Sequence, residues 1–351
     1  MGTDAANVAA PAVSAEARVQ EMYSRVRYPS LDPGDSARYV RHRRAVYALM
    51  GMDAGEAISG GPQPAAASPV GPAPGATQTF FGGKVVLDAG CGTGEETLFL
   101  AGLGAKRVIG IDTSDGSLEV ARAGAARLGL TNVEFHRASV LDSGVFAPAA
   151  FDYVSSLGCI HHTPDMSAAF ANLCAWVRPG GHLCTFIYNS YGHFVYNLEC
   201  RLLDRFAGQD VERRVRLARR LFDWRGPRRF RREGIAAAAE GRLYDKYGVL
   251  YRESLTLGQV LGWYRRAGFV PVGSYPMYLK DMVAAACARD GGDAAAGGWR
   301  GRAAHLLDRG LRTRARREWT WSRRAAMQLL VLGIGMLDYG SAFRVLGRKE
   351  G

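Results

Sequence analysis

Little in this chain would place it in a membrane, outside the cell or around a metal. None of the six cysteines is spaced as C-x-x-C, which removes the common zinc and dithiol patterns. Cys91, Cys159, Cys174, Cys184, Cys200 and Cys287 lie mostly in apolar surroundings and read as buried thiols of a reducing compartment; no metal site is expected. The opening run MGTDAANVAAPAVSAEARVQ has no basic segment followed by an apolar core, so no signal peptide is expected. The longest apolar run, Ala325 to Leu337, is broken by Gln328 and is too short to span a bilayer. These absences point to a cytoplasmic protein. No internal repeat is seen.

What is present suits a globular protein. The 351 residues are enough for one large domain or one and a half, and 48% of them are hydrophobic. The formal charge of +12 is uneven. Arginine crowds residues 201–232 (Arg213, Arg214, Arg216, Arg219, Arg220, Arg228, Arg229, Arg231, Arg232) and 300–324. Such clusters suit an anionic partner, namely phosphate, acidic lipid, an acidic carrier protein or nucleic acid; solvated helix faces account for them equally well.

The stretch that organises the chain is Val85 to Leu100, VVLDAGCGTGEETLFL. An apolar run ends in Asp88, a loop holds Gly90, Gly92 and Gly94, and a run with helical spacing follows. Strand, glycine loop and helix start together offer free backbone N–H groups, and glycine lets a ligand approach closely. The last glycine of a dinucleotide-type G-x-G-x-x-G is replaced by Glu95. An acid there repels a pyrophosphate and tolerates a cation.

Downstream, the pattern alternates. Strands are predicted at Val85–Asp88, Arg107–Ile111, Val133–His136, Phe151–Ser156, His182–Tyr188 and Phe269–Tyr275, and helices at Glu95–Gly102, Ser117–Leu128, Pro164–Val177 and Leu257–Ala267. That alternation predicts a parallel α/β sheet with helices on both faces. Residues 1–52 read as a helical arm interrupted by the turn cluster Tyr28–Gly34, and residues 53–79, almost all Ala, Gly, Pro, Ser and Gln, as a flexible linker.

The line D-A-G-C-G-T-G at 88–94 resembles motif I of class I S-adenosylmethionine (SAM) methyltransferases. The resemblance covers about residues 20–50, 84–195 and 243–276 and the last strand. It implies a Rossmann-like seven-stranded sheet whose seventh strand is antiparallel. The alternating C-terminus Ala342–Lys349 is the candidate for that strand, with Phe343–Leu346 expected opposite Phe269–Val272. Residues 189–250 and 278–337 then become two helical inserts in a domain spanning 80–351. Ligands in open α/β sheets bind outside the carboxyl ends of the strands, so both inserts and the arm are expected to converge there and enclose a substrate.

The resemblance also implies site residues. Asp88, Gly90, Cys91, Gly92 and Gly94 would hold the methionine part of SAM. Asp112 ends the second strand, where one carboxylate can accept both ribose hydroxyls, and Thr113 follows it. Ala138, Ser139 and Val140 would meet the adenine; Ser139 stands where the family usually carries an acid, and Asp142 is the alternative acceptor. Ser156 and Leu157 would floor the site.

The fourth-strand exit ends in His161-His162-Thr163-Pro164-Asp165, resembling small-molecule methyltransferases. A histidine near neutral pKa can take the proton that methyl transfer releases. The alternatives are a histidine that orients the loop, and catalysis by positioning and desolvation alone. Tyr23 and Tyr28 of the arm, with Tyr188, Asn189 and Tyr191 after strand five, are the substrate-binding candidates. Tyr244-Asp245-Lys246-Tyr247 resembles a signature of a poorly characterised bacterial branch.

The expected activity is methyl transfer to a small, largely apolar metabolite, anionic or carrier-bound, in bacterial specialised metabolism. A lipid or isoprenoid methyltransferase on a membrane surface is the alternative. The stretch from Trp319 through Leu337 offers a basic, aromatic helix that would lie on a membrane, pair subunits or close the pocket. An RNA methyltransferase is disfavoured, because no Asn-Pro-Pro-aromatic motif follows strand four.

Overall fold

The computed structural model describes Arg43, Tyr47, Met52 and residues 79–222, 243–276 and 342–351. Seven strands form one sheet in the order β3-β2-β1-β4-β5-β7-β6. They are β1 (Val85–Ala89), β2 (Arg107–Asp112), β3 (Val133–Arg137), β4 (Phe151–Leu157), β5 (Val177–Tyr188), β6 (Phe269–Pro276) and β7 (Ala342–Lys349). Strands β1 to β5 pair in parallel, and β7 runs antiparallel between β5 and β6. This is the Rossmann-like methyltransferase sheet.

Buried residues alternate along the strands because successive side chains point to opposite faces. On one face Leu87, Ile109, Val154, Leu183 and Val345 pack under α3 (Met166–Trp176) and α6 (Leu257–Arg266). On the other, Val86, Val108, Tyr153, Cys184 and Leu346 pack with α1 (Glu95–Gly102), Phe81, Tyr47 and Met52. Helix α2 (Asp115–Arg127) is capped by Ser114, α3 by Asp165, and α6 by a Thr256–Gln259 capping box. Tyr47 is wedged between the Phe81 and Phe99 rings, with centroids 5.4 and 5.7 Å away. At Tyr47 and Met52 the arm is therefore core rather than cover. Tyr23, Tyr28 and the linker lie outside the described residues.

Two expectations need correction. Strand β5 starts at Val177, five residues ahead of the predicted His182, and takes in Arg178-Pro179-Gly180-Gly181. Gly180 has φ +73°, and the β4–β5 register shifts between Phe151 and Tyr153. The turn chemistry makes a bulge within the strand rather than a loop before it. The register of the last hairpin also differs. Phe343–Leu346 lie opposite Pro276–Gly273, and Phe269 faces Lys349. Tertiary contacts set this register: a Cβ on Gly347 would fall 2.3 Å from the Tyr264 ring, and the Tyr264 hydroxyl donates to the Val345 carbonyl at 2.9 Å.

Among the described residues of 189–250, helices α4 (Phe194–Ala207) and α5 (Val211–Phe222) follow β5, and Tyr244–Gly248 forms a π-helical turn. Residues 251–255 return along the end of β5: Leu255 N–H donates to the Tyr188 carbonyl and Ser190 N–H to that of Leu255. The predicted second insert, 278–337, falls outside the described residues. No helix among the described residues is long and apolar enough to cross a membrane.

Candidate functional site

The glycine loop folds back on β2. Gly90 and Cys91 both donate their N–H to the Ile111 carbonyl, at 2.8 and 2.9 Å. Gly90, Gly92 and Gly94 all have positive φ, but their surroundings differ. A Cβ on Gly90 would fall 2.3 Å from the Cys159 Cβ, because the loop presses on the β4 exit. A Cβ on Gly94 would fall 2.7 Å from that of Ala121, the contact of α1 with α2. A Cβ on Gly92 would meet nothing within 4 Å. The Gly92 backbone thus faces open space at the carboxyl edge, where a ligand would lie.

Asp112 closes this corner. Its Oδ2 accepts the Gly92 N–H and its Oδ1 the Ser114 N–H, both at 2.9 Å. Burial pushes its pKa up, and these backbone donors hold it down. Its own carbonyl accepts the Ala138 N–H at 3.1 Å, which draws the β3 exit alongside half-buried Thr113. Ser139 Oγ accepts the Leu141 N–H, and Asp142 Oδ1 accepts the Gly144 N–H. Both alternative adenine acceptors therefore also shape the turn. Asn172 of α3 donates to the Val140 carbonyl at 3.0 Å. This support was not singled out in the sequence, since one polar residue on a helix carries no signal of what it reaches.

Beneath the loop lies a buried polar layer. Asp88 accepts from Thr97 at 2.7 Å and Ser155 at 3.2 Å. Burial, aided by the nearby Glu96 carboxylate, pushes its pKa up to about 7. Glu96 accepts from the Tyr47 hydroxyl and pairs with Arg43 Nε at 3.1 Å. Thr97, Ser155, Glu96 and Arg43 were not singled out in the sequence, because nothing local marks them. Glu95 accepts from Thr93 Oγ1 at 2.8 Å. Asp88, Glu95 and Asp112 make the loop's surroundings acidic, which suits a sulfonium cation and not a pyrophosphate.

At the β4 exit Ser156 is fully buried beside the Cys159 thiol, and Leu157 is half-buried. The following 3-10 turn, Ile160–His162, carries both histidines, and both are buried. His162 Nδ1 lies 3.1 Å from the Tyr251 carbonyl, so that nitrogen carries the proton. Burial pushes its pKa down to about 4. The His161 ring lies 3.9 Å from that of Tyr188 and 4.2 Å from that of His162. Burial, then the neighbouring His162 and His193, hold its pKa well below the usual histidine range, and only the Phe186 backbone opposes this. Neither His161 ring nitrogen makes a contact of hydrogen-bond geometry among the described residues. Tyr188 stacks on His193 at 4.1 Å. Of the remaining candidates, Asn189 is fully buried and its Oδ1 accepts the Tyr191 N–H at 2.8 Å, which makes it a builder of the turn; the Tyr191 side chain is exposed.

These groups give stability opposite pH slopes over the same window, between about pH 4 and 7. An unfolded His162 takes its proton near pH 6.5, whereas the folded one resists until about 4. The fold therefore loses up to about 3 kcal/mol as pH falls through that window, and His161 and His182 add to the loss. Asp88 acts the other way: folded, it keeps its proton to about 7, so stability falls as pH rises from about 4 towards 7. Between pH 4 and 7, urea unfolding should show the stability of His162→Gln, relative to the parent, falling as pH rises, and that of Asp88→Asn rising. Parallel curves for variant and parent would refute these assignments.

The carboxyl ends of four adjacent parallel strands thus bring together the glycine loop, Asp112–Thr113, Ala138–Val140 and Ser156–Leu157. A family model described as a methyltransferase domain matches residues 86–181, the stretch that carries all four. This stretch is similar to a methyltransferase domain. The chain is similar to the ubiquinone biosynthesis O-methyltransferase of Thiobacillus denitrificans, 37% identical over 105 residues, 30% of this chain and 44% of that protein. The enzyme of the same name from a Methylobacterium is 38% identical over 113 residues, 32% of this chain and 42% of that protein. The chain matches less than half the length of these curated relatives. Among solved structures, a SAM-dependent methyltransferase of Mesorhizobium loti aligns over 77% of this chain and 92% of its own, at 17% identity and a TM-score of 0.41. The YcgJ protein of Bacillus subtilis aligns over 77% and 93%, at 14% identity and a TM-score of 0.42.

Proposed function

We propose that the protein transfers a methyl group from SAM to a small, largely apolar acceptor, in bacterial specialised metabolism. The observation that carries this reading is the wall of rings beside the glycine loop. Phe186, Tyr188, His161 and His162 lie together at the ends of β4 and β5, and burial keeps both imidazoles neutral. Such a wall suits an apolar acceptor and excludes water from the reacting centre.

In this reading Gly92 lets the methionine part approach the backbone, Asp112 receives the ribose hydroxyls, and the 138–140 backbone borders the adenine. When bound, SAM supplies an already activated methyl on a cationic sulfur. The chain's work is then mainly to orient the acceptor and exclude water. His162 is committed to the Tyr251 carbonyl and serves to position the turn. His161, whose ring nitrogens make no contact of hydrogen-bond geometry among the described residues, is the group that would accept a hydrogen bond from the acceptor's proton-bearing atom. The decisive experiment is turnover of SAM to S-adenosylhomocysteine with fractionated bacterial metabolite extracts. Product formed only with a small-molecule fraction supports the reading; turnover only with RNA or vesicle fractions overturns it.

A second reading, a lipid or isoprenoid acceptor at a membrane surface, is favoured by α4. Its residues Phe194, Leu198, Leu202 and Phe206 are 61, 52, 41 and 58% exposed, in one stripe beside exposed Arg201 and Arg205. The relatives named as ubiquinone biosynthesis enzymes lend it some weight. Sedimentation with anionic vesicles, lost in Leu198→Glu/Leu202→Glu, would establish it in place of the first.

A further inference from the structure

A fully buried arginine stands on β7 without a counter-charge among the described residues. Arg344 has no exposed surface, and among the described residues none of its three guanidinium nitrogens has a hydrogen-bond partner. Its described contact is cation–π: the guanidinium carbon lies 5.5 Å from the Tyr47 ring centroid. The buried carboxylates on that face are otherwise engaged, Glu96 with Arg43 and Tyr47, Asp88 with Thr97 and Ser155. A guanidinium keeps its charge at any accessible pH. Burying it unpaired is among the most costly arrangements a fold can hold. It is tolerable where a ligand brings the missing anion.

The register says where that ligand would lie. Leu157 pairs with Phe186 and Phe186 with Arg344, so these three form one row across β4, β5 and β7, two residues beyond the Asp88–Ser155 pair at the foot of the glycine loop. By alternation Leu157, Phe186 and Arg344 point to the same face. The row is at the carboxyl edge of the parallel strands, where ligands of open sheets bind. Three strand spacings separate Arg344 from the loop, about 14 Å. That is beyond the donor's methionine end and on the far side of Phe186, where the acceptor's distal end would be.

We propose that Arg344 is an anion subsite for the methyl acceptor, which carries a carboxylate or phosphate at the end remote from the methylated atom. This rests on the methyltransferase reading above. Its planar fork can take two acceptor oxygens at once, and desolvation strengthens the pair.

The test uses the full chain saturated with S-adenosylhomocysteine and two probes of matched ring, benzoate and benzyl alcohol, measured by calorimetry. The parent should bind benzoate at least 10-fold more tightly than benzyl alcohol. Arg344→Met should abolish that preference, and Arg344→Lys, which keeps the charge but not the fork, should retain part of it. S-Adenosylhomocysteine affinity should stay within 3-fold in both, and ligand-free Arg344→Met should melt no lower than the parent, since it loses an unpaired charge. If that variant does not fold, the lysine variant carries the comparison. Equal binding of the two probes by the parent would overturn the proposal. So would a 10-fold loss of S-adenosylhomocysteine affinity in Arg344→Met, which would assign the guanidinium to the donor's carboxylate. Lower melting in both variants with an unchanged probe preference would make the residue structural, which also overturns it. A parent that takes up no S-adenosylhomocysteine fails the methyltransferase reading first, and this inference with it.

Discussion

Two glycines of one loop should respond to the same added methyl in opposite ways. Gly90→Ala is expected to destabilise the fold by about 2–5 kcal/mol, because the left-handed backbone costs a β-carbon roughly 1–2 kcal/mol and overpacking adds about 1–3. The overpacking has a named target: the new Cβ would sit 2.3 Å from that of Cys159 and 2.4 Å from its sulfur. The loop cannot retreat, since its Gly90 and Cys91 N–H groups are tied to Ile111. Gly92→Ala carries only the backbone cost of about 1–2 kcal/mol, having no neighbour within 4 Å. It should fold, and it should lose at least 10-fold in S-adenosylhomocysteine affinity, because its methyl fills the face a ligand needs. Urea unfolding and calorimetry on the two variants check this. Cys159→Gly added to Gly90→Ala should recover much of the stability, as it removes both clashing atoms. Equal stability of the two single variants would show that the β4 exit does not brace the loop.

Asp112→Ala should have the largest effect on donor binding. The carboxylate accepts two backbone N–H groups, from Gly92 and Ser114. Their loss leaves two part-buried donors to be resolvated, about 2–3 kcal/mol of stability. The same carboxylate would accept the ribose hydroxyls, and charge-assisted bonds of that kind are worth roughly 1.5–3 kcal/mol each. Loss of about 100-fold or more in S-adenosylhomocysteine affinity follows. Asp112→Asn should do little better, since the amide nitrogen cannot accept from Gly92. Affinity within 3-fold of the parent in either variant, with the protein folded, would remove Asp112 from the donor site.

How much of this was legible beforehand depended on the range of the interactions. Strand and helix positions could be read because periodicity, Ser114, Asp165 and the glycines act within a few residues of themselves. Ala342–Lys349 was legible as a strand by its alternation, although it pairs with β5, more than a hundred and fifty residues upstream. Its register was not, because a contact between Gly347 and the Tyr264 ring sets it.

The site divided along the same line. The sequence by itself determined the glycine loop, the acid at the end of β2 and the ring-bearing exits of β4 and β5, since each is a local pattern at a strand's carboxyl end. Only the tertiary structure decided which charges share a buried space. Glu96 lies under the loop with Arg43 and Tyr47, both histidines are sealed into a wall of rings, and Arg344 stands beside Tyr47 with no ion-pair partner among the described residues. Burial and counter-charge are properties of neighbours distant in the chain, and they set whether a titratable side chain is a solvated ornament, a neutral packing ring or a cation in need of an anion.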